Sequence, residues 1–105
     1  MSITSLISRL LGSSSVPAIE HDDMQKAVES GECHIVDVRE VNEYQGGHIP
    51  GAINMPLSAF DPTALPHDKP IILSCRSGAR TLQGLERAQA AGRADIDTHF
   101  QGSMN

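Results

Sequence analysis

The spacing of apolar residues changes period several times along the chain, and each change predicts an element. Ile3, Leu6, Ile7, Leu10 and Leu11 recur at i, i+3, i+4, i+7 and i+8, one face of a short helix. Gly12 ends it, and Gly12-Ser13-Ser14-Ser15 reads as a flexible linker, so residues 1–15 form a helix-plus-linker segment and residues 16–105 the domain. So short a helix is marginal in water, and its stripe needs cover from the domain or a partner, or else stays disordered. A membrane-surface contact is the poorer alternative, since Arg9 is the only basic residue there.

From residue 16 the pattern alternates. Residues 16–19 make a short candidate strand. Residues 21–30 make a helix, with Asp22 and Asp23 suiting the dipole of its first turn and Gly31 as its stop. Residues 34–38 are a β-branched run, 41–45 a helical turn before Gly46-Gly47, and 52–55 a short strand. Pro56, Pro62 and Pro66 make 57–66 mostly loop. Residues 70–74 are the strongest strand, apolar on both faces. Residues 79–91 make a helix with Leu82, Leu85 and Ala88 on one side, stopped by Gly92, and 96–100 a last strand. Strands alternating with helices imply an α/β fold: a small, largely parallel sheet flanked by helices on both faces. Ligands of such folds sit at the carboxyl ends of the strands, where Ser74-Cys75 lies.

At 105 residues the chain holds one small domain. With 39 % hydrophobic and 20 % charged residues it has the composition of an ordinary globular protein, and with Tyr44, Phe60 and Phe100 as its only large aromatics the core is aliphatic. A net charge of −5 argues against nucleic-acid binding. No run is long and apolar enough to span a membrane, and 1–11 is a poor signal peptide. Cys33 and Cys75 are too few for a disulfide framework, so a reducing cytoplasm is the default location.

Against this acidic background, Cys75-Arg76-Ser77-Gly78-Ala79-Arg80 holds two of the eight basic residues and no acid. A short flexible loop between strand and helix can turn successive backbone N–H groups inward, forming an anion nest. The helix beginning near Ala79 adds its positive end, and Arg76 and Arg80 add full charges. Each favours thiolate over thiol, and such settings lower a thiol from its usual pKa near ~8.5 by several units. Cys75 is thus a candidate nucleophile, and Arg76, Ser77, Gly78, Ala79 and Arg80 a candidate anion cradle, for a thiosulfate, phosphate, arsenate or persulfide. The five histidines, His21, His34, His48, His67 and His99, show no metal-ligand spacing, and no cofactor is implied. Cys33, at a strand start, reads as an incidental buried thiol, its alternative being a resolving partner for Cys75.

Three segments resemble the rhodanese-like sulfurtransferases in content, order and spacing: Asp37-Val38-Arg39-Glu40 with Glu43-Tyr44, Gly47-His48-Ile49-Pro50-Gly51-Ala52-Ile53-Asn54, and 75–80. The resemblance implies that Cys75 accepts sulfane sulfur from thiosulfate or a similar anionic donor. It then becomes a persulfide and passes sulfur to a thiol, cyanide or protein acceptor. The backbone of 76–80 would cradle the persulfide while Arg76 and Arg80 attract the donor. It implies architectural roles for Asp37 and Arg39, with Arg39 near the pocket rim as the alternative, and a hydrogen-bonding role for His48 in its tight turn. Phosphatases and arsenate reductases of the same fold carry a loop one residue longer, with an arginine where this chain has Thr81; Arg80 comes one position earlier. The shorter cradle favours sulfane sulfur over a tetrahedral oxyanion.

The family usually continues with a Gly-Gly pair, a Trp and a closing helix, whereas 101–105 only begins that segment. The expectation is that the 3–11 helix or a partner covers the apolar surface such a helix would cover. Gly84, inside a helix, implies close packing. A turnover enzyme, a persulfide carrier or docking module, and an inactive binding domain are the competing functions, and Cys75 with both arginines argues against the last.

Overall fold

A computed structural model describes residues 18–101. The helix and linker of 1–15, most of the 16–19 strand and the segment after Gln101 lie outside the described residues. Four parallel strands form one sheet: β1 (His34–Asp37), β2 (Ile53–Asn54), β3 (Ile71–Cys75) and β4 (Thr98–Gln101), in spatial order β2-β1-β3-β4. Among the described residues three helices connect or precede them: α1 (His21–Ser30), α2 (Val41–Gln45) and α3 (Ala79–Ala90). The loop expected over 57–66 contains two 3-10 turns, Leu57–Ala59 and Pro62–Ala64.

Local chemistry accounts for the element ends. Gly31 takes φ 69° and donates its N–H to Ala27 O, closing α1. Glu40 and Glu43 form a reciprocal capping box that starts α2. Gly92 takes φ 85°, its N–H bonds Gln89 O, and the Arg93 N–H reaches back to Ala88 O at 2.8 Å, the double bond of a Schellman motif ending α3. Of the 16–19 strand, Ala18 makes an isolated parallel bridge to His99.

Alternation along the strands divides the core in two. Ile35, Ile72 and Phe100 pack with Met24 and Ala27 of α1 and with Ile49 and Ala52. Val36, Val38, Leu73 and Cys75 pack with Leu85 and Ala88 of α3 and with Leu65 and Ile96. All five residues of β3 are buried, as a strand covered on both faces requires. Between β1 and β3 the strand order reverses, because β2 lies on one side of β1 and β3 on the other. The carboxyl ends of β1 and β3 therefore flank a topological switch point.

The buried stripe of α3 is Thr81, Gly84, Leu85 and Ala88, whereas Leu82, expected inside, is exposed. The helix is rotated so that Gly84 sits on the sheet, where an added Cβ would lie 2.9 Å from Leu73 Cδ1. Leu73 is fully buried, so its side chain can yield only within the packed core. Gly84→Ala is therefore expected to lose more through overpacking, roughly 1–3 kcal/mol, than the ~1 kcal/mol it gains in helix propensity. A lowered urea midpoint at unchanged m-value would register the net loss.

Candidate active site

Cys75 is the last residue of β3 rather than the first of the loop, so strand pairing anchors its backbone, in register with Gln101 of β4. The chain then turns through Arg76 and Ser77, both exposed, to Gly78, which takes φ 93° before α3 begins at Ala79. A side chain is strained at that φ, so glycine is what allows the tight return. The return brings the Gly78 N–H to Cys75 Sγ at 3.0 Å. The α3 N-terminus follows at once, its positive end beside the sulfur.

The Cys75 side chain is buried on the α3 side of the sheet, and 3 % of the residue is exposed. Burial pushes the thiol up, but the Thr81 hydroxyl and the backbone amides of Thr81, Gly78 and Ser77 outweigh it, leaving the thiol below its ordinary value. Cys33 shows burial without such donors: its thiol is pushed up to about 11. Both cysteines are free, and Cys33 packs in the other core, among Ile35, Ile72 and the α1 residues.

The two loop arginines differ. Arg80 forks onto Glu43 of α2, with Nη2 donating to Oε2 at 3.0 Å and Nη1 to Oε1. That fork holds the Glu43 carboxyl at about 2, well below its usual 4.5, so the pair persists in mild acid and opens only as pH falls through about 2. Arg76 is exposed and forms no ion pair with the described residues. Ala79 is exposed in the first turn of α3.

The remaining motif residues brace the frame. Arg39 holds the buried Asp37 carboxylate through Nε and Nη2 and donates to Gly47 O at 2.7 Å. Asn54 Nδ2 bonds the carbonyls of Asp37 and Arg39. His48 donates from Nδ1 to Tyr44 O and stacks on the Tyr44 ring, while Tyr44 Oη donates to Ala52 O. No group of three or more metal-ligating side chains occurs among the described residues, and none of their helices is long and apolar enough to cross a membrane.

Two buried residues beside the sulfur are absent from the sequence-based site. Thr81 Oγ1 lies 3.6 Å from Cys75 Sγ, and His99 Nδ1 lies 2.6 Å from that hydroxyl. Thr81 had a readable signal, since three positions past the helix-capping Gly78 it lies on the first turn and faces back toward the loop. His99 had none, because its place depends on the pairing of β4 with β3.

The chain belongs to the rhodanese-like domain family, whose model matches residues 20–104. Among curated relatives, it is 38 % identical over 71 residues to the putative sulfur carrier protein YrkF of Bacillus subtilis (strain 168), covering 65 % of this chain and 38 % of that one. It is 27 % identical over 92 residues to thiosulfate:glutathione sulfurtransferase of Homo sapiens, covering 72 % and 80 %. Among solved structures, human single-domain sulfurtransferase TSTD1 superposes with a TM-score of 0.67 at 25 % identity, over 85 % of this chain and 92 % of that one. The chain thus spans well under half the length of YrkF.

Proposed function

We propose that this protein transfers sulfane sulfur through a persulfide on Cys75. The observation that carries the reading is the Gly78 N–H aimed at the buried sulfur at 3.0 Å, in a setting that lowers the thiol. In the proposed reaction the Cys75 thiolate attacks the outer sulfur of thiosulfate. A new S–S bond forms, the donor's S–S bond breaks, and sulfite leaves with the bonding pair. The terminal persulfide sulfur keeps its negative charge in the cup formed by 76–80. An acceptor thiolate or cyanide then attacks that sulfur and returns Cys75 as a thiolate. The ionised nucleophile needs no general base. Family membership and the sulfurtransferase and sulfur-carrier relatives support this chemistry, with thiosulfate as the proposed donor. The proposed site is cytoplasmic, where a lone reactive thiol stays reduced.

Intact mass spectrometry after thiosulfate treatment tests the reading: the mass should rise by one sulfur atom and fall back with reductant. A folded protein that gains no sulfur would overturn it. Mass gain without thiosulfate:cyanide turnover would favour a carrier that hands sulfur to a protein partner, as the name of YrkF favours.

Because Glu43 compensates Arg80, the charge available to an incoming anion is that of Arg76. Arg76→Ala is therefore expected to raise KM for thiosulfate, by about threefold to tenfold at low salt and less at high salt, with kcat little changed. Initial rates at two ionic strengths would check this.

A further inference from the structure

We propose that His99 is a positioning residue for the sulfur site: protonated at Nδ1, it donates to Thr81 Oγ1 and thereby leaves the single Thr81 proton for Gly78 O or, once Cys75 ionises, for its sulfur. This rests on Cys75 as the sulfur-carrying thiol.

The assignment follows from counting protons. A threonine hydroxyl has one proton and two lone pairs. Thr81 Oγ1 has three neighbours: Gly78 O at 2.9 Å, His99 Nδ1 at 2.6 Å and Cys75 Sγ at 3.6 Å. Gly78 O can only accept. Thr81 and His99 are both fully buried, out of reach of bulk water. Were His99 protonated at Nε2, Thr81 would give its proton to Nδ1 and present bare lone pairs to both Gly78 O and the sulfur. The Nε2–H would then be a buried donor without an acceptor, since Nε2 has no hydrogen-bond partner among the described residues. With the proton on Nδ1 these conflicts vanish. His99 and the Cys75 S–H both donate into Thr81, Thr81 donates to Gly78 O, and Nε2 is left as a lone pair. Burial lowers the His99 pKa, which keeps the ring neutral and leaves the tautomer as the variable.

The same count describes what happens when Cys75 ionises. The sulfur stops donating and becomes an acceptor, and the Thr81 hydroxyl can rotate from Gly78 O toward it. Gly78 O is not orphaned, because the Leu82 N–H also donates to it at 3.1 Å. The His99 donor stays in place throughout and polarises the hydroxyl toward the sulfur. The charged group coupled to that sulfur from α3 is Arg80, itself held by Glu43 of α2. The β4 register sets the geometry, since His99 pairs with Leu73 two positions before Cys75 and shares its face.

Two measurements decide it. A long-range proton–nitrogen correlation spectrum of the wild-type protein should show His99 protonated at Nδ1; a proton on Nε2 would overturn the proposal whatever any variant does. Second, the pH midpoint of Cys75 alkylation by iodoacetamide is read at the Cys75 peptide. It should rise by about half a unit to one unit in His99→Leu and return most of the way in His99→Asn, whose amide N–H can replace the donor. In a Thr81→Val background the two His99 variants should alkylate alike. A folded His99→Leu protein with the wild-type midpoint would overturn the proposal. If His99→Leu does not fold, the wild-type spectrum alone is decisive. Wild-type protein that gains no sulfur from thiosulfate, yet shows the Nδ1 proton and the shifted midpoint, would overturn the sulfur-transfer reading and leave this one standing.

Discussion

Cys75→Ser is expected to abolish sulfur uptake and to reduce thiosulfate:cyanide turnover on the order of a thousandfold or more, to background. Serine has nearly the same shape and keeps a polar atom where the Gly78 N–H points, so the fold should survive, with the melting temperature close to wild type. The chemistry should not survive. A hydroxyl stays protonated under conditions that ionise a thiol held below its ordinary value, and an oxygen at that position cannot carry the sulfane sulfur as a disulfide-type bond. Thiosulfate-dependent mass gain and thiocyanate formation, measured on the same folded sample, would check the expectation. Retained mass gain would move the sulfur to another residue. Cys33 is the other thiol, but it is buried, pushed up to about 11 and packed in the opposite core, so no mass should be gained there.

The largest expected loss of stability lies far from the sulfur. Arg93 is 5 % exposed, and its guanidinium serves as the hydrogen-bond donor for a loop that has no ladder of its own. Nη1 donates to Pro62 O and Leu65 O at 2.7 Å each, Nη2 donates to Pro66 O at 2.9 Å, and Nε and Nη2 fork onto Asp95. Arg93→Ala removes the donor from three carbonyls at once and empties the buried space its side chain fills. Hydrogen bonds to a charged group contribute about 1.5–3 kcal/mol each, and losses within one network do not add fully. An expected cost of about 3 kcal/mol or more would lower the melting temperature of a domain this small by more than about 10 °C. Thermal or urea denaturation would measure it. Cys75 alkylation well below the melting transition should match wild type, because the Arg93 contacts lie on the segment from Pro62 to Pro66 and on Asp95, not on 75–81.

Much of this architecture was legible in the residues. Helix α1 runs over the residues its pattern marks, because Asp22, Asp23 and Gly31 act on their own neighbours. Strand β3 was legible as an uninterrupted apolar run, and with it the place of Cys75 between a strand end and a helix start. Asp37 and Arg39 brace the frame, the architectural role the resemblance implied, and the structure adds Asn54 to that brace. Leu82 was misplaced because residues 82, 85 and 88 and residues 81, 84, 85 and 88 are neighbouring stripes on one helix. The close approach of Gly84 to Leu73 chooses between them.

By itself the sequence determined the order and type of the elements, the family, and the position of the thiol between a strand and a helix. Those features depend on caps, periodicities and turns that act across three or four residues. Tertiary structure decided which side chains surround the thiol and which of its charges are spent. Arg80 meets Glu43 across 37 positions, leaving Arg76 as the loop cation without an ion pair among the described residues, and Thr81 meets His99 across 18. Such contacts depend on strand register and on the rotation of a helix over a sheet, and every residue of both cores has a part in setting these.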